Sequence, residues 1–297
     1  MRFIWVIILS VLFSQFSDNH PELDWMSFET KNFILYFHKE TERSAVEASK
    51  VAELIYKPVT DLYNFYPDSK TSIIIKDTDD YSNGAAMFFD NKIEIWAKPM
   101  DFDLRGSHRW MQDVITHEFV HIVQIGAAMK YSRKIPAFYF QVIDYEDEKR
   151  EDVLYGYPNQ IISSPIPGTS VPPWFAEGVA QYMYNQVKYD FWDSHRDMLL
   201  RDAVLNHRLY NYNEMSSFGK KGLGNELVYN QGFAFVNYIV SQYGEDILRD
   251  ITDELSKPIN YSIDRAFKNA TNDNIREVFQ DFYHYLEESY ARFNSKN

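Results

Sequence analysis

The chain contains no cysteine in 297 residues. Disulfides, thiolate metal ligands and a cysteine-borne lipid anchor are thereby excluded. Basic residues are also in short supply, with 30 Lys and Arg against 43 Asp and Glu and a formal net charge of −13. Such a balance repels phosphates and anionic lipid, so neither nucleic acid nor a membrane surface is an expected partner. The N-terminal apolar run, Phe3 to Phe13 broken only by Ser10, falls short of the ~20 residues that a membrane-spanning helix needs. No internal repeat and no long low-complexity tract occurs.

That apolar run follows Arg2 and precedes Ser14-Gln15-Phe16-Ser17 and the polar Asp18-Asn19. The pattern is that of a secretory signal over residues 1–17. Neither Leu12 nor Gln15 is the small residue wanted three positions before a cut, which leaves an uncleaved N-terminal anchor open. The expected location is secreted, periplasmic or cell-surface in a bacterial envelope. Residues 18–297, drawn from a chain that is 45% hydrophobic and 17% aromatic, suffice for one folded catalytic domain with a sizeable core.

Coarse organisation follows from hydrophobic period. Ser27 to Phe37 reads as a strand. Glu40 to Tyr66 reads as a helix with Ala45, Ala48, Val51, Ala52, Ile55, Val59 and Leu62 on one face and a kink at Pro58. Thr71 to Lys76 is a second strand, and Ala86 to Asp90 with Lys92 to Ala97 forms a hairpin around Asp90-Asn91. A helix begins near Ser107. Residues 129–173 read as a long irregular surface loop, because Pro158, Pro165, Pro167, Pro172 and Pro173 punctuate it and a charged cluster fills Asp144 to Asp152. Beyond Trp174 helices are predicted at Asp190–Asn206, Gly232–Tyr243 with a stop at Gly244, Glu245–Leu255 and Ile275–Phe293. The fold class is α+β: an N-terminal lobe with a mixed sheet over about 22–128, and a mainly helical lobe over about 170–297.

Where these lobes meet lies His117-Glu118-Phe119-Val120-His121. On a helix His117 and His121 sit one turn apart on the same face, so both imidazoles can reach one metal ion. Val114, Ile115, Phe119, Val120, Ile122, Val123 and Ile125 make this helix apolar almost all round, and such a helix is buried. Imidazoles and a carboxylate buried there need partners, and a metal ion supplies one. Chance also produces this pentapeptide, so a further donor decides. Glu177 is the candidate, in the first turn of a helix opened by Pro172-Pro173 and striped by Ala176, Val179, Ala180, Met183 and Val187. Its bland reading is a glutamate that favours the helix dipole.

At these residues the sequence resembles the gluzincin zinc metallopeptidases, and within them the bacterial peptidase-MA-like domain that often precedes a TolB-like β-propeller. The segments that carry the likeness are DWMSFETKNFILYF, THEFVHIVQ, PPWFAEGVAQY, MLLRDAV and YNQGFAFVNYIVSQYG. The resemblance implies a zincin-like fold with the active-site helix between the lobes. It implies one zinc ion held by His117, His121 and Glu177, Glu118 as general base, and a peptide or protein substrate. With the sequence stopping at Asn297, no propeller is expected within it. Such a ligand set leaves a position for a water that zinc acidifies, and Glu118 would take its proton.

Further expectations concern the surroundings. Tyr229 occupies the place where related gluzincins carry an oxyanion-binding tyrosine, although most of the 22 tyrosines must be packing residues. Gln181, one turn after Glu177, or Asp113, one turn before His117, would accept the outer ring proton of a ligand histidine. The strand Lys92 to Trp96 would pair with an extended substrate, or is an ordinary edge. His108, His195 and His207 are expected to lie outside the site. The competing function is a catalytically weak, zinc-stabilised module that binds peptides or proteins at the cell surface.

Overall fold

The computed structural model describes residues 20–78, 82–99, 109–145, 158–186, 194–218 and 223–294. The N-terminal run 1–17, His108 and the cluster Glu146–Asp152 therefore lie outside the described residues. Strand β1 (Trp25–Glu29) turns through Thr30–Asn32 into β2 (Phe33–His38), with the Thr30 N–H donating to the Phe33 carbonyl at 2.9 Å. The single strand expected over Ser27–Phe37 is thus two antiparallel strands. Helix α1 (Glu42–Tyr63) carries the chain over the sheet to β3 (Thr71–Lys76), which lies parallel to β2. Its buried residues Ala45, Ala48, Val51, Ala52, Ile55 and Val59 recur at helical spacing, which explains why this stretch is a helix with one core face. Pro58 lies inside it. The helix ends at Asn64, whose φ of 45° is the left-handed cap that asparagine tolerates.

Strands β4 (Gly84–Met87) and β5 (Lys92–Trp96) form the expected hairpin. Asn91 closes it at φ 51°, where its side chain accepts from the Thr71 hydroxyl at 2.8 Å and donates to the Ser69 carbonyl at 3.0 Å. The five-stranded sheet runs β1-β2-β3-β5-β4. Ile73, Ile75, Ile93 and Ile95 point every second residue into the core, the period of strands with a buried face. Helix α2 (Trp110–Ala127) packs on α1 and β4, and Phe119 meets Phe33 and Tyr56 at ring separations of 5.2 and 5.6 Å.

The expected irregular loop 129–173 is corrected in part. Strands β6 (Ala137–Tyr145) and β7 (Pro158–Pro167) pair antiparallel as a separate two-stranded sheet. Prolines at strand ends and edges do not stop a ladder that needs no donor from them.

Among the described residues the rest of the chain is helical: α3 (Pro173–Gln186), α4 (Ser194–Leu205), α5 (Leu223–Tyr243), α6 (Ile247–Ser256), α7 (Ile263–Thr271) and α8 (Ile275–Asn294). The class is mixed α+β, with the sheet in the N-terminal half. Helix α5 starts nine residues before Gly232 and stops, as expected, at Gly244 with φ 83°. Trp174, Phe235, Phe279 and Phe282 form its aromatic core, with Trp174 and Phe235 rings 5.0 Å apart. Among the described residues no helix is long and apolar enough to cross a membrane.

Just beyond α2, buried Lys130 donates to the carbonyls of Leu255, Lys257 and Asn260. Its ammonium also lies 4.6 Å from the centre of the Tyr261 ring. Burial pulls this lysine below its ordinary pKa, yet three acceptors and a ring face still favour the cation. Lys130→Met is expected to cost roughly 2–3 kcal/mol, because those carbonyls lose a charged donor without gaining water. Chemical denaturation measures this, and an unchanged midpoint would remove the clamp from the account.

Candidate metal centre

Helix α2 contributes two imidazoles and α3 one carboxylate. The Nε2 atoms of His117 and His121 lie 2.8 and 3.3 Å from one and the same oxygen, Oε2 of Glu177. The two rings stand edge to face with centroids 4.7 Å apart. One ligand atom from each residue lies within 4.8 Å of the other two, and this is the sole such group among the described residues. His195 and His207 stay outside it, as expected. The one-turn spacing in α2 brings the rings together, and the packing of α2 on α3 brings Glu177 to them.

The electrostatics fit a cation between these groups. Burial alone would push the Glu177 carboxyl up, but His121 and His117 hold it well below the ordinary carboxylate range. Burial would lower His121, yet the Glu177 charge and hydrogen bond raise it above the usual imidazole value. A carboxylate kept ionised beside two imidazoles is a nitrogen and oxygen donor set that can hold a divalent metal ion.

Glu118 belongs to the same helix turn but makes different contacts. Burial raises its pKa above the ordinary glutamate value, against the opposing pull of His117 and His121. The backbone N–H of Ala86 in β4 donates to its carboxylate. A methyl group built on Gly84 would lie 3.0 Å from Glu118 Oε1 and 2.3 Å from Val114 Cγ2. Glycine at 84 is what lets the β4 backbone approach this carboxylate.

Glu118 and His117 open on a cleft of about 90 Å³ whose wall also includes Asn83, Gly84, Tyr184 and Tyr229. The Tyr229 ring lies 6.2 Å from the His117 ring, so that candidate is at the site. The expected pairing strand is corrected: β5 lies between β3 and β4, and β4 is the sheet edge beside the cleft. Tyr184 Oη lies 3.3 Å from His117 Nδ1, a partner that was not anticipated. Among the described residues the Oε1 of Gln181 is buried without a hydrogen-bond partner, which corrects that candidate, and Asp113 lines the cleft. Among the described residues His121 Nδ1 is likewise buried and without a hydrogen-bond partner.

Sequence reasoning missed Tyr184 and Arg196. Tyr184 is two helical turns beyond Glu177, a spacing that shares its face and could have pointed to it. Arg196, buried in α4, reaches the same cleft, and no local pattern signalled it. A larger cavity of about 400 Å³ opens at the other end of α2, between Phe65, Phe88, Ile122, Met129 and Arg133. It contains no cluster of metal-ligating groups, so the chemistry favours the smaller cleft. No protein-family model matches this chain and no curated protein matches it, which leaves the His117, His121 and Glu177 geometry to speak for the site.

Proposed function

We propose that the protein is a zinc-dependent metallopeptidase of the gluzincin type, acting in the envelope or outside the cell. The observation that carries this reading is the convergence of His117 and His121 Nε2 on Glu177 Oε2, with Glu118 one residue away on the same cleft. A purely structural site needs ligands but no adjacent base, and here a buried carboxylate is kept beside the ligands without joining them.

Zinc, held by His117, His121 and Glu177, would polarise the scissile carbonyl and acidify the attacking water. Glu118 accepts the proton of that water and returns it to the leaving nitrogen. Its raised pKa suits both halves of the exchange, since a carboxylate that binds a proton more readily is the better base. Tyr184 steadies the His117 ring from its Nδ1 side. Tyr229 supplies a hydroxyl at the cleft for the carbonyl oxygen as charge develops on it. Strand β4 offers an extended peptide an edge next to Glu118. Export rests on Arg2 and the run Phe3–Phe13.

Zinc titration combined with hydrolysis of a mixed quenched-peptide library tests the proposal. One equivalent of zinc and zinc-dependent cleavage are expected. Stoichiometric zinc with no cleavage of any peptide would favour the binding module instead. Protein that takes up no zinc and keeps its stability under chelator would discard the metal site.

A further inference from the structure

Apart from an edge-to-face contact between Phe138 and Tyr131, with ring centroids 4.5 Å apart, both faces of the β6–β7 arm are largely open among the described residues. Phe138, Tyr139, Phe140, Val142 and Ile143 of β6 and Ile161, Ile162 and Ile166 of β7 are all exposed, Tyr139 and Phe140 by 66% and 67%. The register Phe138↔Ile166, Phe140↔Ser164 and Val142↔Ile162 places Phe138, Phe140, Val142, Ile162 and Ile166 on one face. No Asp, Glu, Lys or Arg occurs in Ala137–Ile143 or Pro158–Pro167, in a chain of which 25% is charged. An exposed, uncharged apolar ribbon of this length marks an interaction surface.

The two edges of the ribbon differ. Pro165 and Pro167 are two apart in β7, so both nitrogens point to the same edge and neither carries a proton. A strand tolerates proline where its nitrogen faces away from the ladder, which here is the outer edge of β7. That edge is blunted against further pairing. Strand β6 has no proline between Ala137 and Tyr145. Among the described residues its only strand neighbour is β7, so there its other edge presents free donors and acceptors.

We infer that β6 is a dimerisation strand, pairing antiparallel with β6 of a second copy of this chain across a two-fold axis to form a four-stranded sheet β7-β6-β6-β7. Two-fold pairing is self-complementary by symmetry, and the stretch Ala137–Ile143 carries no charge, so pairing centred on it brings no like charges together, whatever the net charge of the rest. Phe138, Phe140 and Val142 then stand beside their counterparts on a shared face, the aromatic and β-branched neighbours that stabilise strand pairs. Edge pairing covers the flanks of the exposed β6 side chains Phe138, Tyr139, Phe140, Val142 and Ile143 and leaves β7 outside the contact, so the interface is of the small, reversible class.

A lipid bilayer is the poorer occupant. The sequence joining β6 to β7 contains Glu146-Asp147-Glu148-Lys149-Arg150-Glu151-Asp152, and leading an insertion with these charges is costly. The net charge of −13 adds repulsion from anionic headgroups.

Sedimentation velocity on the zinc-loaded chain from nanomolar to high micromolar concentration tests the inference. A reversible dimer is expected for the wild type. The double substitution Phe140→Asp and Val142→Asp should weaken it on the order of a hundredfold, since two pairs of like charges then face each other across the axis. Both positions are exposed, so circular dichroism and zinc content serve as checks that the fold is intact. Because the chain lacks cysteine, single cysteines introduced from Phe138 to Ile143 give a second readout. Disulfide-linked dimers should peak at one β6 position near the axis and be weak for Ser163→Cys in β7. Wild type that stays monomeric throughout, cross-linking that favours β7, or a monomer that floats with phosphatidylcholine and phosphatidylglycerol vesicles would each overturn it.

Discussion

Glu118→Gln is expected to keep one equivalent of zinc and to lose about a thousandfold in peptide turnover. Glutamine matches glutamate in shape, so the contacts around Gly84 and Val114 survive. The residues that could hold the metal ion are others, His117, His121 and Glu177. What disappears is the proton acceptor. Glu177→Gln should do the opposite, by removing the negative charge on which both Nε2 atoms converge. Its cost in zinc affinity should exceed the ~10–100-fold seen when only an outer partner of a ligand is lost. Paired zinc titrations and turnover measurements separate the two substitutions. A Glu118→Gln protein with undiminished turnover would sink the assignment of the base.

Gly178→Ala should cost on the order of 3 kcal/mol and lower the melting midpoint by roughly 5–10 °C. A Cβ at Gly178 would stand 2.6 Å from the Gly232 carbonyl oxygen and 2.8 Å from Val236 Cγ2, and one at Gly232 would stand 2.7 Å from the Trp174 carbonyl oxygen. These obstacles are mainly backbone, which cannot rotate aside as a side-chain tip can, so α3 and α5 must separate. Glu177 is the residue before Gly178 and moves with α3. Zinc affinity should therefore fall with stability, although position 178 touches no metal ligand through a side chain. A thermal melt of the metal-free chain and a zinc titration measure the two effects. An unshifted midpoint would show that the helices do not approach this closely.

Elements whose burial is one-sided were legible in the residues. The alanines and aliphatics of α1 recur every three or four positions because one face meets the sheet. His117 and His121 announced a shared site through spacing alone, and Pro172-Pro173 marked the start of the helix that carries Glu177. Glycine misled where it served close packing rather than an end. Gly232 sits inside α5 because the backbone of Trp174 leaves no space for a methyl, so the helix extends upstream of the expected start. The β6–β7 arm escaped notice because both its faces are exposed, and a ribbon without a buried side shows no clean alternation of polar and apolar residues. Strand order was equally hidden. Nothing local in Lys92–Trp96 reveals that β5 returns beside β3 and leaves β4 outside. Tyr184 and Arg196 reach the cleft through tertiary packing, which no short-range pattern encodes.

Helix α2 is moored at both ends. At its start the Trp110 indole donates to the Trp96 carbonyl at 2.7 Å, and just past its end Lys130 grips the turn after α6. The rotational freedom of the turn that displays both imidazoles is thus spent while the chain folds. An arriving ion would meet donors already aimed at one point, with the entropy that would otherwise oppose its capture surrendered beforehand.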